Sequence, residues 1–400
     1  MNVFIIPSWC PSTDAPLSGS FFVEQARSIA QTRPDWKIAL CLCDLVSARP
    51  PRNPLGWGRY MKNLLKIPRR QTHHHESGLI EYKIWKPYDI LCQRKLADTV
   101  DHLIDAAEWA LDQFSKLHGT PDIIHAMGGT PAGTAAVRLG RKRKIFVAIT
   151  EHMGPFPWPV YQLPDGTPVP EIIEAYNQAD ICAAVSSHLA KKITDLKLAD
   201  KVEVIPNFLD DNIFYPGKKR EATGKCDFLS VGGPSHSKGT DVLLSAFAKL
   251  PVTSTLTIVG DSLEKKSWER FARKLNIASR VKWHGAVSRE EMPLLYQACD
   301  VFVLPSRFES FGIVYLEALA CGKPVVATRC GGPDDIVSDL NGILVPVNDV
   351  ENLADAMRHM ICYHIDYDPQ ILRADFTQRF SAKTVADRIE QWYGCVLENI

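Results

Sequence analysis

The sequence predicts an α/β protein made of two doubly wound halves. Three observations predict it. The chain has 400 residues, the length of two domains at about 100–200 residues each. Short β-branched apolar runs alternate along it with stretches of helical periodicity, the pattern of βαβ units. The alternation is interrupted near Pro206–Lys225, where Pro206, Pro216, Gly217 and the charged stretch Lys218–Lys225 read as a linker.

In the first half the candidate strands are Val3–Ile6, Ile38–Leu42, Leu79–Trp85, Asp122–His125, Ile145–Thr150, Ile181–Val185 and Val202–Ile205. In the second they are Phe228–Val231, Leu256–Val259, Val281–His284, Val301–Leu304, Val325–Ala327 and Ile343–Val345. Several are apolar throughout instead of alternating, which suits parallel strands covered by helices on both faces. The clearest helical stretches are Asp101–Leu117, Asp241–Lys249, Ser267–Leu275 and Asn352–Met360. In the last segment, Phe380–Leu397, residues Val385, Ile389, Trp392, Tyr393 and Val396 share one helical face. The expected division is therefore 1–207, 208–379, and a terminal helix 380–400 packing back on the N-terminal half.

Composition narrows the function. Lys plus Arg number 46 and Asp plus Glu 46. A net charge of zero excludes a general electrostatic attraction to nucleic acid. At 46% hydrophobic and 23% charged residues, the chain can bury cores and is not disordered. No run approaches the roughly 18 apolar residues of a membrane span. The start, MNVFIIPSWCP, has no basic n-region and breaks at Pro7, so it is not read as a signal peptide. The 11 cysteines are scattered and odd in number, and Cys41 and Cys43 share one face of a strand; buried thiols in a reducing cytosol explain them. His73–His75 reads as a solvated loop.

The neutral sum hides one basic segment. From Arg49 to His75 there is no acid, and Trp57, Tyr60, Met61, Leu64 and Leu65 recur at helical spacing beside Arg59, Lys62 and Lys66. Such a helix either meets an anionic lipid surface, here the cytoplasmic face of the inner membrane, or docks on the N-terminal half with a solvated basic face.

Ligands of doubly wound sheets bind at the carboxyl ends of the strands, so polar residues that directly follow strands are the candidates. The densest set follows Val301–Leu304: a loop with Ser306, Arg307, Glu309 and Ser310, then Gly312 opening a helix that carries Glu317. Amides at that helix start, near Phe311 and Gly312, point at an anion. Two carboxylates flanking an anion site suit a nucleotide sugar, with hydroxyls on both sides of its phosphates. The second set follows Phe228–Val231: a Gly-rich loop ending in Lys238 and Gly239. Lys238 is a point charge for phosphate, although the spacing is not that of a Walker loop.

These residues resemble a known family. The run from Gly312 through Ile313, Val314, Tyr315 and Leu316 to Glu317, the following Ala318–Thr328, and Gly331, Gly332 and Pro333 are similar to glycosyltransferase family 4. Its hallmark is a Glu, seven residues and a second Glu, here Glu309 and Glu317. Further matches are Val231 and Gly232 with Lys238 and Gly239; Ile258, Val259 and Gly260; His284 and Gly285; and Asn341 and Gly342 with Pro346 and Asp349. In the first half they are Asp122–His125, Thr150, Glu151 and His152, Val185–Ser187, and Pro206 with Asn207.

The resemblance implies a retaining enzyme of the GT-B fold, two Rossmann-like domains facing a cleft. It implies that Glu317 holds the ribose hydroxyls, and that Glu309, Ser310 and the amides of Phe311 and Gly312 hold the donor sugar. Lys238 would neutralise the diphosphate, with Gly19 letting backbone approach it from the other half, and Gly233 falls among the donor-binding positions. His152 would touch the sugar near its reacting carbon, and Gly260 and Val287 would flank the base. The implied donor is a UDP or GDP sugar, and the implied acceptor a glycan or lipid-linked saccharide of the cell envelope, polysaccharide or lipopolysaccharide. No metal or other cofactor and no nucleic acid is implied. Where the family usually has an Arg after the Gly of its first loop, this chain has Gly233; His236, Arg307 or Arg329 are the candidate substitutes. Two other readings stay open: a nucleotide-sugar epimerase on the same fold, and a degenerate, non-catalytic nucleotide-binding subunit.

Overall fold

A computed structural model describes residues 1–12, 18–48, 69–89, 96–217 and 225–398. The amphipathic part of the basic segment, 49–68, and the charged stretch 218–224 lie outside the described residues. The chain forms two compact units. The first is Met1–Ala184, Ala190–Ile205 and Ala386–Ile400; the second is Val185–Leu189 and Pro206–Val385. Among the described residues no helix is long and apolar enough to cross a membrane.

The first unit is built on an eight-stranded sheet. Its strands are β1 (Asn2–Pro7), β2 (Lys37–Ala48), β3 (Arg70–His74), β4 (Leu79–Asp89), β5 (Ile123–Met127), β6 (Phe146–Glu151), β7 (Ile181–Ala184) and β8 (Glu203–Val204). Their order is β3-β4-β2-β1-β5-β6-β7-β8. All neighbours pair in parallel except β3 with β4. Central strands such as β5 are buried at every position, which is why they read as unbroken apolar runs.

Strand β3 corrects the expected loop at His73–His75. Arg70–His74 is an antiparallel edge strand with all five residues exposed. An edge strand that buries neither face needs no apolar alternation, so periodicity gives no signal for it. Next to it, His75 Nε2 lies 2.9 Å from the buried carboxylate of Glu81.

The terminal helix Ala382–Leu397 begins in the second unit and completes the core of the first. Trp392 and Tyr393 are buried there. The Tyr393 hydroxyl lies 2.7 Å from His125 Nδ1, and Thr150 Oγ1 lies 2.8 Å from Nε2. Burial pushes the His125 imidazole down to about 3 from its ordinary 6.5. The folded state therefore binds one proton fewer than the unfolded state between those values. The stabilisation is complete above about pH 6.5 and is lost as pH falls toward 3. This group contributes up to ~1.4 kcal/mol per pH unit in that window. A His125→Gln variant is expected to show a flatter acid limb in denaturation midpoints measured from pH 7 to 3. An unchanged slope would refute the assignment.

The second unit holds a six-stranded, fully parallel sheet: β9 (Asp227–Val231), β10 (Thr255–Val259), β11 (Val281–His284), β12 (Val301–Leu304), β13 (Val325–Thr328) and β14 (Gly342–Val345). Their order is β11-β10-β9-β12-β13-β14. Phe228, Leu256, Ile258, Val301, Val303 and Val326 form the centre of its core. Successive strands run outward from β9 in one direction and from β12 in the other. The order therefore reverses between these two neighbours, and at such a reversal doubly wound sheets have their ligand-binding crevice, beyond the carboxyl ends of the strands.

Candidate functional site

The loop Gly232–Gly239 leaves β9 and the loop Pro305–Gly312 leaves β12, so both line that crevice. They are stitched backbone to backbone. Gly239 has φ +67°, and a Cβ there would lie 2.0 Å from the carbonyl oxygen of Pro305. The Arg307 amide donates to the Ser237 carbonyl at 2.9 Å. This approach brings Lys238 Nζ to 2.7 Å from Glu309 Oε1, and the same oxygen accepts from the Ser306 hydroxyl at 2.7 Å. Ser306 is fully buried, while the Lys238 side chain keeps 29% of its exposure and that of Glu309 11%. A cation and a hydrogen-bond acceptor thus sit side by side on a partly dry floor, where each interacts more strongly than in water.

Gly332 donates to the Glu309 carbonyl at 2.9 Å, holding the next stretch in place. A Cβ on Gly332 would come within 2.2 Å of Phe311 Cα. Half-buried Ser310, buried Phe311 and Gly312, at φ +99°, lead into the helix Ile313–Ala320. Glu317, on that helix, is only 4% exposed. Its Oε2 accepts from the Tyr296 hydroxyl at 2.7 Å, and its Oε1 is paired with the Arg289 guanidinium. Arg289 and Tyr296 were not singled out by the sequence. Arg289 follows β11 and could have been found by the rule that polar residues after strands matter; Tyr296 lies mid-helix and gives no such signal.

Gly233 and Gly260 bring a second pair of loops together, after β9 and β10. A Cβ on Gly260 would lie 2.5 Å from Gly233 N, and one on Gly233 2.8 Å from the Asp261 carbonyl oxygen. Gly233 has φ +75°. A side chain at either position would collide with this backbone, so the loop as folded has no room for an Arg at position 233. Ala286 N donates to Asp261 Oδ2 at 3.2 Å, and half-buried Val287 follows it. Of the candidate substitutes, Arg307 is corrected: it forms a two-pronged pair with Asp241 at 2.8 and 2.8 Å and also bonds the His236 carbonyl. Burial works against the Asp241 charge, but the Arg307 hydrogen bonds hold its carboxyl below the usual range. A guanidinium so engaged is a structural strut. Arg329 stays 63% exposed, on a cavity of about 460 Å3 that also takes in His188, Phe308 and Asp334.

Part of the run that carries the family resemblance serves the scaffold. Lys323 is buried and donates to the carbonyls of Gln297 and Cys299 at 3.2 and 2.7 Å. Cys321 and Cys330 are buried thiols pushed up to about 12, mainly by burial.

Gly19 and His152 belong to the first unit. Gly19, at φ +70°, opens the helix Ser20–Thr32, and a Cβ there would lie 2.8 Å from the Trp9 carbonyl oxygen. His152 is 7% exposed, with its ring against Phe21 and Phe22 at centroid distances of 5.7 and 5.0 Å. Its position is set by Glu151, which the sequence marked only as part of the strand end. The buried Glu151 carboxylate accepts from the amides of Gly129, His152 and Met153 at 3.0, 2.9 and 2.7 Å and from the Tyr176 hydroxyl at 2.7 Å. Burial raises this carboxyl above its ordinary range, against those four bonds.

Comparison with known proteins places the chain among glycosyltransferases. Residues 211–365 match the family described as Glycosyl transferases group 1, and residues 94–213 match Glycosyltransferase Family 4. The D-inositol 3-phosphate glycosyltransferase of Mycolicibacterium smegmatis is 30% identical over 233 residues, covering 54% of this chain and 53% of that protein. The protein of the same name from Mycolicibacterium paratuberculosis is 32% identical over 202 residues, covering 47% of this chain and 46% of that one. The chain thus spans about half the length of the curated relatives it matches. Among solved structures, sucrose-phosphate synthase from Thermosynechococcus elongatus superposes with a TM-score of 0.75 at 19% identity, covering 100% of both chains. Anabaena HepE in complex with UDP and glucose superposes with a TM-score of 0.69 at 19% identity, covering 99% of this chain and 100% of that one. These likenesses show the fold, two Rossmann-like units of the GT-B type. With both family models matching end to end across residues 94–365, the chain belongs to glycosyltransferase family 4, the group 1 glycosyl transferases.

Proposed function

We propose that this protein is a retaining glycosyltransferase. It moves a sugar from a nucleoside diphosphate sugar to a hydroxyl of a glycan or lipid-linked acceptor in cell-envelope polysaccharide synthesis. The observation that carries the reading is the Lys238–Glu309 pair, 2.7 Å apart at the strand-order reversal of the second unit. In the reaction the bond from the anomeric carbon to the diphosphate breaks. A bond to the acceptor oxygen forms on the same face, and the acceptor proton passes to a diphosphate oxygen. Lys238 stabilises the charge that grows on the leaving diphosphate. Glu309 accepts from hydroxyls of the transferred sugar, and Glu317 from the ribose. No side chain serves as nucleophile. The cation and the helix-start amides take the place that a metal fills elsewhere, so none enters the mechanism. His152 contacts the sugar, and Gly19 lets backbone approach the diphosphate. HepE holds UDP and glucose, which supports UDP as the first nucleotide to test.

Saturating UDP or GDP is expected to raise the melting temperature, because a ligand at 100 times its Kd stabilises by about 2.7 kcal/mol. Proton NMR of the product formed from the matching donor sugar is expected to show the donor's anomeric configuration kept. Inversion would reject the retaining chemistry. Absence of any shift with UDP, GDP or ADP would reject the donor site. Binding without turnover would favour the non-catalytic subunit, and a new epimer formed without acceptor would favour the epimerase.

A further inference from the structure

Glu317 is a buried carboxylate in the middle of a helix, a costly place for a charge unless it is paired and hydrogen-bonded. Two groups meet that need. Tyr296, itself fully buried, donates to Oε2 at 2.7 Å. Arg289 is paired with Oε1 and stacks its guanidinium over the Phe214 ring, 4.5 Å from the centroid. The aromatic face steadies the cation, and with Arg289 on Oε1 and Tyr296 on Oε2 each carboxylate oxygen is anchored, which sets the orientation of the group. A carboxylate has about four acceptor positions, so with Tyr296 and Arg289 each using one, about two remain. A ribose offers two adjacent hydroxyls. Arg289 also follows β11 in the same loop as Val287, so it reaches Glu317 from the side where the base is proposed to lie.

We infer that Arg289 is a specificity-determining positioning residue. It orients the two remaining acceptor positions of Glu317 toward a vicinal diol, and the preference for ribonucleotide over deoxyribonucleotide donors depends on it. The inference rests on the proposed nucleotide site and assigns a determinant of its selectivity. It differs from a plain structural role, in which Arg289 would only neutralise a buried charge.

The test compares Kd for UDP with Kd for 2′,3′-dideoxy-UDP by isothermal titration calorimetry. The proteins are the wild type, Arg289→Lys, Arg289→Gln and Glu317→Gln. The wild type is expected to prefer UDP by at least about 100-fold, since a site built to bond a hydroxyl rejects the analogue lacking it. Arg289→Gln is expected to lower that ratio at least tenfold, toward the Glu317→Gln value. Arg289→Lys, which keeps the charge but not the planar fork, is expected to fall between. A ratio unchanged in Arg289→Gln overturns the inference, even if both affinities drop together, because a merely structural residue would behave that way. Tighter UDP binding in Arg289→Gln also overturns it, by showing that Arg289 competes with the ribose. A wild type that binds both nucleotides equally overturns it while leaving the Lys238–Glu309 reading standing. A wild type that binds neither overturns both. Should Arg289→Gln not fold, the Arg289→Lys ratio alone decides: the wild-type value refutes, an intermediate value supports.

Discussion

Replacing Lys238 with alanine is expected to lower kcat by about 10²–10³-fold, the loss typical when one preorganised donor to a developing anion is removed. In the proposed mechanism Lys238 is the cation beside the leaving diphosphate, and Arg307 cannot replace it because it is held by Asp241. Glu309→Ala is expected to cause a loss of similar size by releasing the sugar hydroxyls from their acceptor. The two side chains share one hydrogen bond and converge on one substrate, so the double variant should be well short of the product of the two single losses. Each single variant leaves a partner charge partly buried and unpaired, which costs about 1–3 kcal/mol of stability. Melting temperature and far-UV circular dichroism therefore accompany the kinetics. Turnover within threefold of wild type in both single variants would remove the basis of the proposed function.

Gly239→Ala is expected to be the most damaging single-atom-scale change in the second unit. Two costs combine. A non-glycine residue at φ +67° loses roughly 1–2 kcal/mol. The added methyl would also stand 2.0 Å from the Pro305 carbonyl oxygen, and relieving such overpacking costs a further ~1–3 kcal/mol. The sum, about 2–5 kcal/mol, predicts a fall in melting temperature on the order of 10 °C for a unit of this size. The loops can reduce the clash only by moving apart, so Lys238 leaves Glu309 and UDP stabilisation is lost as well. Gly232→Ala supplies the control in the same loop. It also has positive φ, +133°, but its nearest contact is the flexible end of Lys238 at 3.4 Å. Because φ +133° strains an alanine more than φ +67° does, a loss in Gly232→Ala as large as in Gly239→Ala would leave the contact between loops without a demonstrable effect, and a smaller one would establish it.

Much of the fold was legible because parallel strands buried on both faces write themselves as apolar runs. β12 is one such strand, with every position buried. β3 was not legible, because an exposed edge strand buries nothing and carries no pattern. The strand-end rule led to Lys238, Glu309 and Glu317 from sequence alone. It could not show that Lys238 and Glu309 touch, since they are 71 positions apart and meet only because β9 and β12 are neighbours at the reversal of strand order. Nor could it show that Arg307 is engaged by Asp241, 66 positions away. His125, which the sequence reading put at the end of a strand and which lies in the middle of β5, became a core group only once Tyr393, 268 positions on, was placed against it.

Local sequence was thus enough for the class of fold, the two series of strands, the candidate loops and the family. Each is written in local periodicity or in a contiguous motif. Three-dimensional packing settles which side chains from different loops share a hydrogen bond, which cations are already engaged, and why nothing larger than glycine fits at Gly233 and Gly239. Those answers depend on contacts between segments distant in the chain. Such contacts are set by sheet order and by backbone approach within 3 Å, and neither has a local signature in the sequence.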